Sequence, residues 1–408
     1  MPSPTVITLY TRTGGLDLGL EAAGFKVGVA VELDTRACET LRANRRWPII
    51  NGDIHSVTSN RLCEFSGLAP EEPDLLAGGP PCQPFSKSAY WHSGDTKRLD
   101  DPRADTLTAY LRVLRDLKPK SFLLENVQGL AYSGKDEGLR HLKDTIAAIN
   151  AETGTSYSFV VTRVNAADYG VPQTRERVII VGSRDGRPFE FPRPTHCDAS
   201  LRESLADREP WLTAWDAIGD LQDCIDPSLA VGGRWGALLP SIPEGNNYLW
   251  HTDRGGGKPL FGWRRRYWGF LLKLAKDRPA WTIQAQPGPA IGPFHWKSRK
   301  LSARELCRLQ TVPDSYEIIG TQSDAQRQLG NAVPSLLGEV IGRAIRRQLL
   351  GHRVPAQPRL AVRRRGAPPA RERTRTVPAQ YHQLIGDHAP HPGTGRGYGS
   401  AQRIAAKS

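Results

Sequence analysis

The sequence predicts an α/β protein in which a mostly parallel sheet is covered by helices on both faces. Over residues 1–183, short β-rich runs alternate with helical patterns. Several of these runs end in loops rich in glycine and proline, and the length of 408 residues allows two or three domains. Strands that alternate with helices form parallel sheets, because each crossover connection places a helix against one face.

The first elements are a strand, a glycine turn with a helix, and a second strand with its own helix. The run TVITLY begins at Thr5, and the helical pattern GLDLGLEAAG can end at Gly24. The strand KVGVAVEL follows, and Asp34 is a suitable N-cap for the helix TRACETLRAN. A glycine turn followed by an acidic residue at the end of the second strand, here Glu32, is the layout of a dinucleotide site.

The rest of this unit repeats the alternation. The short strand PDLL leads into the loop GGPPCQPFS, and apolar residues from Leu107 to Leu117 have helical spacing. The remaining elements are the strands KSFLLEN, YSFVVTRV and RVIIVGS and the helix LRHLKDTIAAIN. The alternation ends near Ser183, so we place the first domain at residues 1–183.

The composition changes after this unit. Residues 184–300 are rich in proline and glycine and hold eight of the ten tryptophans. Their weak periodicity predicts a smaller, mostly irregular or β domain. Helices return over residues 301–350, where SARE at Ser302 is a capping box and Pro334 can open the last helix. Residues 351–408 are rich in proline, arginine and glycine, which predicts a basic, disordered tail.

Charge and cysteine content narrow the class of protein. The net charge is +13, of which +9 belongs to residues 351–408, and a basic chain favours nucleic acid as its partner. The six cysteines are scattered without a CxxC pair, which argues against a zinc site or a disulfide framework and suits a cytoplasmic protein. We expect no membrane span and no secretory signal, because no apolar run is long enough and the N-terminus lacks a basic start.

Several chemically reactive side chains adjoin predicted strands. Cys82 lies in the loop GGPPCQPFS, whose prolines restrict the backbone, and Glu125 ends the strand KSFLLEN. Arg175 and Arg177 are two residues apart on an extended segment and therefore point to the same side. Because ligands of open α/β sheets bind beyond the carboxyl ends of strands, these groups can converge. Each also has a simpler interpretation: a buried cysteine, a solvated strand end and a solvated charge run.

In their order along the chain, these motifs resemble those of the DNA cytosine-5 methyltransferases. The matching segments are TGGLDLGLEAAGF, VELD, GGPPCQPFS, ENV, QTRERVIIVG, RELCRLQTVPD and LGNAVP, within residues 6–183 and about 279–347. The resemblance implies a Rossmann-like domain with S-adenosylmethionine as methyl donor and no metal. It also implies a monomer that acts on double-stranded DNA, either in a restriction-modification system or as a solitary modification enzyme.

The resemblance implies the chemistry as well. Cys82 matches the family's nucleophile, which adds to carbon 6 of a cytosine flipped out of the duplex, so that carbon 5 can take the methyl group. Glu125 matches the glutamate that binds ring nitrogen 3 and the exocyclic amine. Arg177 matches the arginine that holds the cytosine carbonyl, and Arg175 matches its supporting partner.

The positions that match the family's cofactor contacts fall on several loops. They are Tyr10, Gly14, Gly15, Leu16, Glu32, Leu33, Asp53, Ile54, Pro80, Asn331 and Val333. The chain departs from the family at Arg12, where the pattern usually has glycine. If this position has a positive φ, arginine costs about 1–3 kcal/mol of strain. Arg12 could also pair with the carboxylate of the cofactor.

Residues 184–300 fall where the family has its target recognition domain. The stretch WRRRYWGF mixes basic and aromatic residues, which suits phosphate and base contacts. The candidates for DNA contact are Arg264, Arg265 and Arg266 in this stretch, together with Gln83 and Ser86 in the loop of Cys82. The alternative for most of the tryptophans is the core of a small domain.

Two related functions stay open, and one unrelated function is excluded. An RNA cytosine-5 methyltransferase would share the catalytic residues, although such relatives tend to have a reduced recognition region. A non-catalytic DNA-binding relative would have lost Cys82, Glu125 or the arginines, and all of them are present. A zinc-dependent cytosine deaminase requires Pro-Cys-x-x-Cys, and PCQPF lacks the second cysteine.

Overall fold

Seven strands form the central sheet of the computed structural model, which describes residues 2–81, 105–127, 137–201, 204–264 and 266–386. The strands are β1 (Thr5–Leu9), β2 (Lys26–Glu32), β3 (Ile49–Asn51), β4 (Leu75–Gly78), β5 (Ser121–Asn126), β6 (Ser158–Asn165) and β7 (Glu176–Ser183). Their order across the sheet is β3-β2-β1-β4-β5-β7-β6. Strand β7 is antiparallel to β5 and β6, and the other neighbours pair in parallel, which confirms the prediction of a mostly parallel sheet.

Helices cover both faces of this sheet. The helices are α1 (Gly15–Ala22), α2 (Thr35–Asn44), α3 (Ser59–Ser66), α4 (Asp105–Leu117), α5 (Glu137–Thr153), α6 (Ala214–Ile218), α7 (Ala303–Leu309), α8 (Gln322–Asn331) and α9 (Ser335–Gln348). Apolar residues of α3, α4 and α5 share one core cluster with the sheet, and those of α1 and α9 share another. The sheet is therefore buried on both faces, as its nearly continuous apolar strands require.

Helix ends follow the predicted signals closely. The Asp34 side chain accepts a hydrogen bond from the Ala37 amide at the start of α2, and Ser302 and Glu305 form a capping box at the start of α7. Pro334 is the N-cap of α9 rather than its first residue, so the last helix begins one position later than predicted.

Helices α1 and α9 approach each other closely because glycines face the contact. A Cβ atom added to Gly15 would lie 2.2 Å from the carbonyl oxygen of Val333. One added to Gly19 would lie 2.2 Å from the carbonyl oxygen of Ser335. No side chain fits in so short a distance. This contact brings the glycine turn after β1 against the segment that precedes α9.

Residues 184–300 contain little regular structure, as predicted. They hold the two-residue strands β8 (His196–Cys197) and β9 (Glu209–Pro210), helix α6 and several 3-10 turns. Trp235, Tyr248, Phe261 and Phe270 form an aromatic cluster with ring centroids 5.3–5.9 Å apart. Aromatic side chains thus supply the core that the missing strands and helices would otherwise provide.

The prediction of a disordered tail is wrong for residues 351–386, which we call the C-terminal strap. Near the start of the strap, the main-chain amides of Arg359 and Leu360 donate to the buried carboxylate of Glu339 in α9. The composition of the strap is typical of disorder, because it offers too few apolar residues for a core of its own. It is ordered because it satisfies buried polar groups of other segments.

The second half of the strap completes the core of the region 184–300. Glu372 lies 3.2 Å from the ammonium of Lys276, which is buried and also pairs with Glu244 at 2.6 Å. Tyr381 is buried and stacks on Trp235, with 5.9 Å between the ring centroids. The strap therefore supplies both a counter-charge and an aromatic ring to this core.

We predict that ending the chain after Leu350 lowers the free energy of unfolding by about 3 kcal/mol or more, because buried Lys276 loses one of its two counter-charges and Tyr381 leaves the core. Urea unfolding followed by tryptophan fluorescence measures this loss.

The matched control is a chain that ends after Gly386. It keeps every contact of the strap described above and should unfold at the same urea concentration as the full chain. Equal midpoints for the two shortened chains would show that the strap contributes nothing to stability.

Candidate active site

A pocket opens at the carboxyl ends of β1, β4 and β5. It is lined by Thr8, Leu9, Tyr10, Thr11, Arg12, Leu16, Asp17, Gly79, Glu125, Asn331 and Val333. The lining thus combines four positions predicted to contact the cofactor, Tyr10, Leu16, Asn331 and Val333, with Glu125, which is predicted to contact the base. Residues that are 300 positions apart in the sequence meet here because α9 packs against α1.

Glu125 and Arg177 form an ion pair at this edge of the sheet. The Nε atom of Arg177 lies 2.8 Å from Oε1 of Glu125, and both side chains are largely buried. The two strands that carry them, β5 and β7, are neighbours, which brings the side chains together. Gly79 leaves room for the carboxylate, since a Cβ atom there would lie 2.9 Å from Oε2 of Glu125. Partial burial strengthens and orients such a pair.

Arg175 is buried beside this pair and binds main-chain carbonyls. It donates from Nη1 to Ile283 at 3.3 Å and from Nη2 to Gly330 at 2.9 Å. Its Nε atom has no hydrogen-bond partner in the described part of the chain. Burial, and secondarily the charge of Arg177, lowers the pKa of Arg175. The two arginines are close enough to interact, which agrees with the predicted common side, but their guanidinium groups have different partners.

Glu32 ends β2 with its carboxylate buried and held by backbone. Its oxygens accept the amides of Arg12 at 2.7 Å and Asp34 at 2.8 Å. Burial raises the pKa of Glu32. The adjacent Leu33 is 65% exposed, an unusual position for leucine directly after a buried strand.

Asp53 and Ile54 follow β3, whose residues pair with the end of β2. Asp53 is exposed and accepts the amide of His55, while Ile54 is buried. Four positions predicted to contact the cofactor therefore lie at the ends of the adjacent strands β2 and β3: Glu32, Leu33, Asp53 and Ile54.

The loop after β1 has a left-handed backbone at two positions that are not glycine. The φ angles of Tyr10 and Arg12 are both 57°, and Gly14 has a φ of 78°. The condition considered for Arg12, a positive φ, is met, and its cost is about 1–3 kcal/mol. The short hydrogen bond from the Arg12 amide to Glu32 helps to hold this conformation.

Asp17 is a pocket residue that the sequence analysis missed. It lies in the first turn of α1 and is fully buried, and its Oδ1 atom has no hydrogen-bond partner among the described residues. Burial, reinforced by the charge of Glu32, raises the pKa of Asp17 to about 7, although hydrogen bonds with Thr8 and Thr11 oppose the shift. Its position two residues after the glycine pair was the available signal, but an acidic residue in a first helical turn is also common without any function.

Some of the predicted site residues cannot be located. Cys82, Gln83, Ser86 and Arg265 lie outside the described residues. Just before Cys82, the carbonyl of buried Pro80 accepts the Asn126 side chain at 3.4 Å, and the carbonyl of Pro81 accepts the Thr106 hydroxyl at 3.1 Å. The chain that enters the Cys82 loop is therefore tied to β5 and α4.

Arg264 and Arg266 are exposed in the region 184–300 and do not line the pocket. Beside them, Tyr267 is 78% exposed and Trp268 is 55% exposed. Both lie in the stretch WRRRYWGF, in which the sequence analysis named only the three arginines as candidates for DNA contact. Large aromatic side chains beside exposed arginines are typical of surfaces that contact nucleic acid.

Across the described ranges, no group of histidine, cysteine, aspartate and glutamate side chains is arranged to hold a metal ion. The helices in these ranges are all too short or too polar to cross a membrane.

We predict that Asp17→Asn makes the stability of the ligand-free chain less dependent on pH. Because the pKa of Asp17 is higher in the folded than in the unfolded chain, folding takes up a proton, and wild-type stability falls as the pH rises from about 4 through 7. Between pH 5 and pH 8 the wild type should lose about 3 kcal/mol more than the variant, at about 1.4 kcal/mol for each pKa unit.

Urea unfolding of both chains at the two pH values measures this difference. Parallel pH profiles of the two chains would mean that the pKa of Asp17 is the same in the folded and the unfolded chain.

Comparison with known proteins agrees with this geometry. A family model described as C-5 cytosine-specific DNA methylase matches residues 5–231 and 247–347. The type II methyltransferase M.SacI of Streptomyces achromogenes is 40% identical over 369 residues, which are 84% of this chain and 93% of that protein. M.NgoFVII of Neisseria gonorrhoeae is 32% identical over 338 residues, which are 81% of this chain and 83% of that protein.

Solved structures have the same fold. A putative DNA modification methyltransferase encoded in an Escherichia coli prophage aligns with a TM-score of 0.55 at 21% identity, covering 85% of this chain and all of that chain. The Entamoeba histolytica methyltransferase EhMeth aligns with a TM-score of 0.58 at 14% identity, covering 86% and 99%. The resemblance of the sequence motifs is confirmed: the chain belongs to the C-5 cytosine-specific DNA methylase family and is a DNA cytosine-5-methyltransferase.

Proposed function

We propose that this methyltransferase modifies a cytosine within one specific sequence of double-stranded DNA, through a covalent adduct on Cys82. The observation that carries the proposal is the Glu125–Arg177 pair, which shares a sheet edge with the pocket that Tyr10, Leu16 and Val333 line. A group that binds cytosine and a group that binds the methyl donor must lie this close for the methyl group to pass between them. The enzyme works as a monomer in the cytoplasm, as part of a restriction-modification system or alone.

The pocket suits S-adenosylmethionine. The unpartnered oxygen of buried Asp17 offers an acceptor to a cationic ligand. The adenosine would be held by Glu32, Leu33, Asp53 and Ile54, and the methionine end by Tyr10, Gly14, Gly15, Leu16, Pro80, Asn331 and Val333. When bound, the cofactor supplies an electrophilic methyl group.

Cys82 makes carbon 5 of the cytosine reactive. Its thiolate forms a bond to carbon 6, and the electron pair of the carbon 5–carbon 6 double bond becomes available at carbon 5 for bonding to the methyl group. Carbon 5 then loses its proton to the solvent, the double bond re-forms, and the sulfur–carbon 6 bond breaks to return the thiolate. A free thiol is mostly protonated at neutral pH, so the loop must favour the thiolate or allow its deprotonation on attack.

Glu125 and Arg177 bind the polar edge of the base. Arg177 donates to the cytosine carbonyl, and Glu125 contacts ring nitrogen 3 and the exocyclic amine. Without a base, the two side chains satisfy each other at 2.8 Å. A proton carried by Glu125 would offset the negative charge that thiolate addition places on the ring. Arg175 positions this edge from beneath, through its bonds to Ile283 and Gly330.

DNA lies against the region 184–300, which we propose as the target recognition domain, with residues 301–350 completing the catalytic domain. Arg264, Arg265 and Arg266 contact the DNA, and Gln83 and Ser86 contact it beside the flipped base. Extruding the target base costs a few kcal/mol of stacking and pairing. The exposed arginines and the neighbouring aromatic rings offset this cost through phosphate and base contacts.

We predict that Cys82→Ala abolishes methyl transfer, because no other group supplies the bond to carbon 6. Transfer of labelled methyl from S-adenosylmethionine to mixed-sequence duplex DNA measures this, with the product identified as 5-methylcytosine. Cys224→Ala is the matched control, since Cys224 is an exposed free cysteine, and it should keep full activity.

Binding of S-adenosylmethionine to the Cys82→Ala chain tests whether that chain is folded. Residual 5-methylcytosine formation by a folded Cys82→Ala chain would rule out the adduct.

We predict that Glu125→Gln slows methyl transfer by about 10²–10⁴-fold, the range typical for loss of a general acid. Glutamine keeps the size of the side chain and can still accept a hydrogen bond from Arg177, so affinity for S-adenosylmethionine should change little. Glu152→Gln, on the exposed face of α5, is the control. A Glu125→Gln chain with the wild-type rate would exclude Glu125 from the chemistry.

A further inference from the structure

The C-terminal strap lies beyond residue 347, where the match to the family model ends, and its basic composition has no role in the function proposed above. The contacts of its last turn indicate a role for the strap. Tyr381, on the 3-10 turn Ala379–Leu384, is buried in the core of the region 184–300, together with the partly buried side chains of Val377 and Leu384.

Tyr381 is fixed to Trp235 in two ways. Its ring lies nearly parallel to the Trp235 indole, at an interplanar angle of 11° with 5.9 Å between the centroids. Its hydroxyl donates to the carbonyl of Arg234 at 2.7 Å, on the residue before Trp235. A stacked ring with a directional hydrogen bond sets both the distance and the orientation of the indole.

Trp235 in turn supports the loop proposed to contact DNA. The guanidinium of Arg266 lies over the Trp235 ring at 5.8 Å and over the Phe270 ring at 5.6 Å. The rings of Phe270 and Trp235 are nearly perpendicular, with 5.6 Å between their centroids. These cation–π contacts hold a charged group at a fixed place on the surface without neutralising it, so it remains available to a phosphate.

Hydrogen bonds fix the backbone of this loop at Arg266 and Trp268, whereas the side chains of Tyr267 and Trp268 do not enter the core. The Tyr248 hydroxyl bonds both the amide and the carbonyl of Arg266, at 3.1 and 2.9 Å. The Asn247 side chain donates to the carbonyl of Trp268 at 2.8 Å. Tyr267 and Trp268 nevertheless remain exposed. A loop whose backbone is fixed and whose aromatic side chains face solvent is pre-organised for a partner.

We propose that Tyr381 is a positioning residue for DNA recognition: through Trp235 it sets the place of Arg266 and of the exposed side chains beside it. The proposal rests on the proposed function, in which this loop contacts DNA. Tyr381 itself does not touch the DNA and does not line the cofactor pocket. Its loss therefore affects binding of DNA and leaves the chemistry and the cofactor site intact.

The test compares kcat and KM for long, mixed-sequence duplex DNA, together with the dissociation constant of S-adenosylmethionine. Tyr381→Ala should raise the KM for DNA about tenfold, while kcat at saturating DNA and cofactor affinity stay within about twofold of wild type. Tyr381→Phe keeps the stack and should stay within about twofold in KM. Tyr381→Leu fills the core without stacking, and should raise KM about threefold even if the alanine variant is unstable.

Gln380→Ala, at an exposed neighbouring position of the same turn, is the matched control and should resemble wild type in all three quantities. An unchanged KM in folded Tyr381→Ala and Tyr381→Leu chains would overturn the proposal. So would a parallel loss of kcat, DNA affinity and cofactor affinity, which would indicate a general role in stability. A wild-type chain that neither binds nor methylates duplex DNA would instead overturn the proposed function, and this inference with it.

Discussion

The arrangement of the active site depends on one buried guanidinium. Arg175 leads into β7, and its two hydrogen bonds reach Ile283, at the end of the region 184–300, and Gly330, at the end of α8. Removing a guanidinium from water is costly, and carbonyl dipoles repay only part of this cost. This cost is offset because the guanidinium joins three segments that are distant in the sequence. The segments lead to Arg177, which pairs with Glu125, to the region 184–300, and to Asn331, which lines the pocket.

Hydrogen bonds of a neighbouring residue reinforce this junction. Gln173 donates to the Leu309 carbonyl at 3.2 Å and accepts the Ile283 amide at 3.2 Å, so the segment of Ile283 is bound a second time and the end of α7 is joined to it. Along this extended stretch, Gln173 and Arg175 face the junction, and Arg177 reaches the neighbouring Glu125. A short sequence thus serves two purposes: it joins the region 184–300 to the sheet, and it presents Arg177 to Glu125.

Local patterns in the sequence predicted most of the sheet, because most of its strands are short apolar runs and helices such as α2 and α7 have side-chain caps at their N-termini. The left-handed φ at Arg12 could also be predicted, because Arg12 replaces a glycine of the family pattern and glycine tolerates a positive φ. The bond between Arg175 and Ile283 was not accessible, because it joins residues 108 positions apart. The three-residue strand β3 is too short to give a pattern. The strap was misjudged because its order comes from acids and aromatic rings in other segments, and not from periodicity of its own.

The dependence of Trp235 on Tyr381 has a consequence for biosynthesis. The ribosome makes the chain from its N-terminus, and the strands of the sheet are complete once Ser183 has emerged. The core around Trp235 and Lys276 is complete only after Glu372 and Tyr381 have been made, 96 residues after Lys276 and 146 residues after Trp235. A nascent chain that has not yet reached Tyr381 therefore lacks the ring that stacks on Trp235, so the core of residues 184–300 is complete only after the strap has been made.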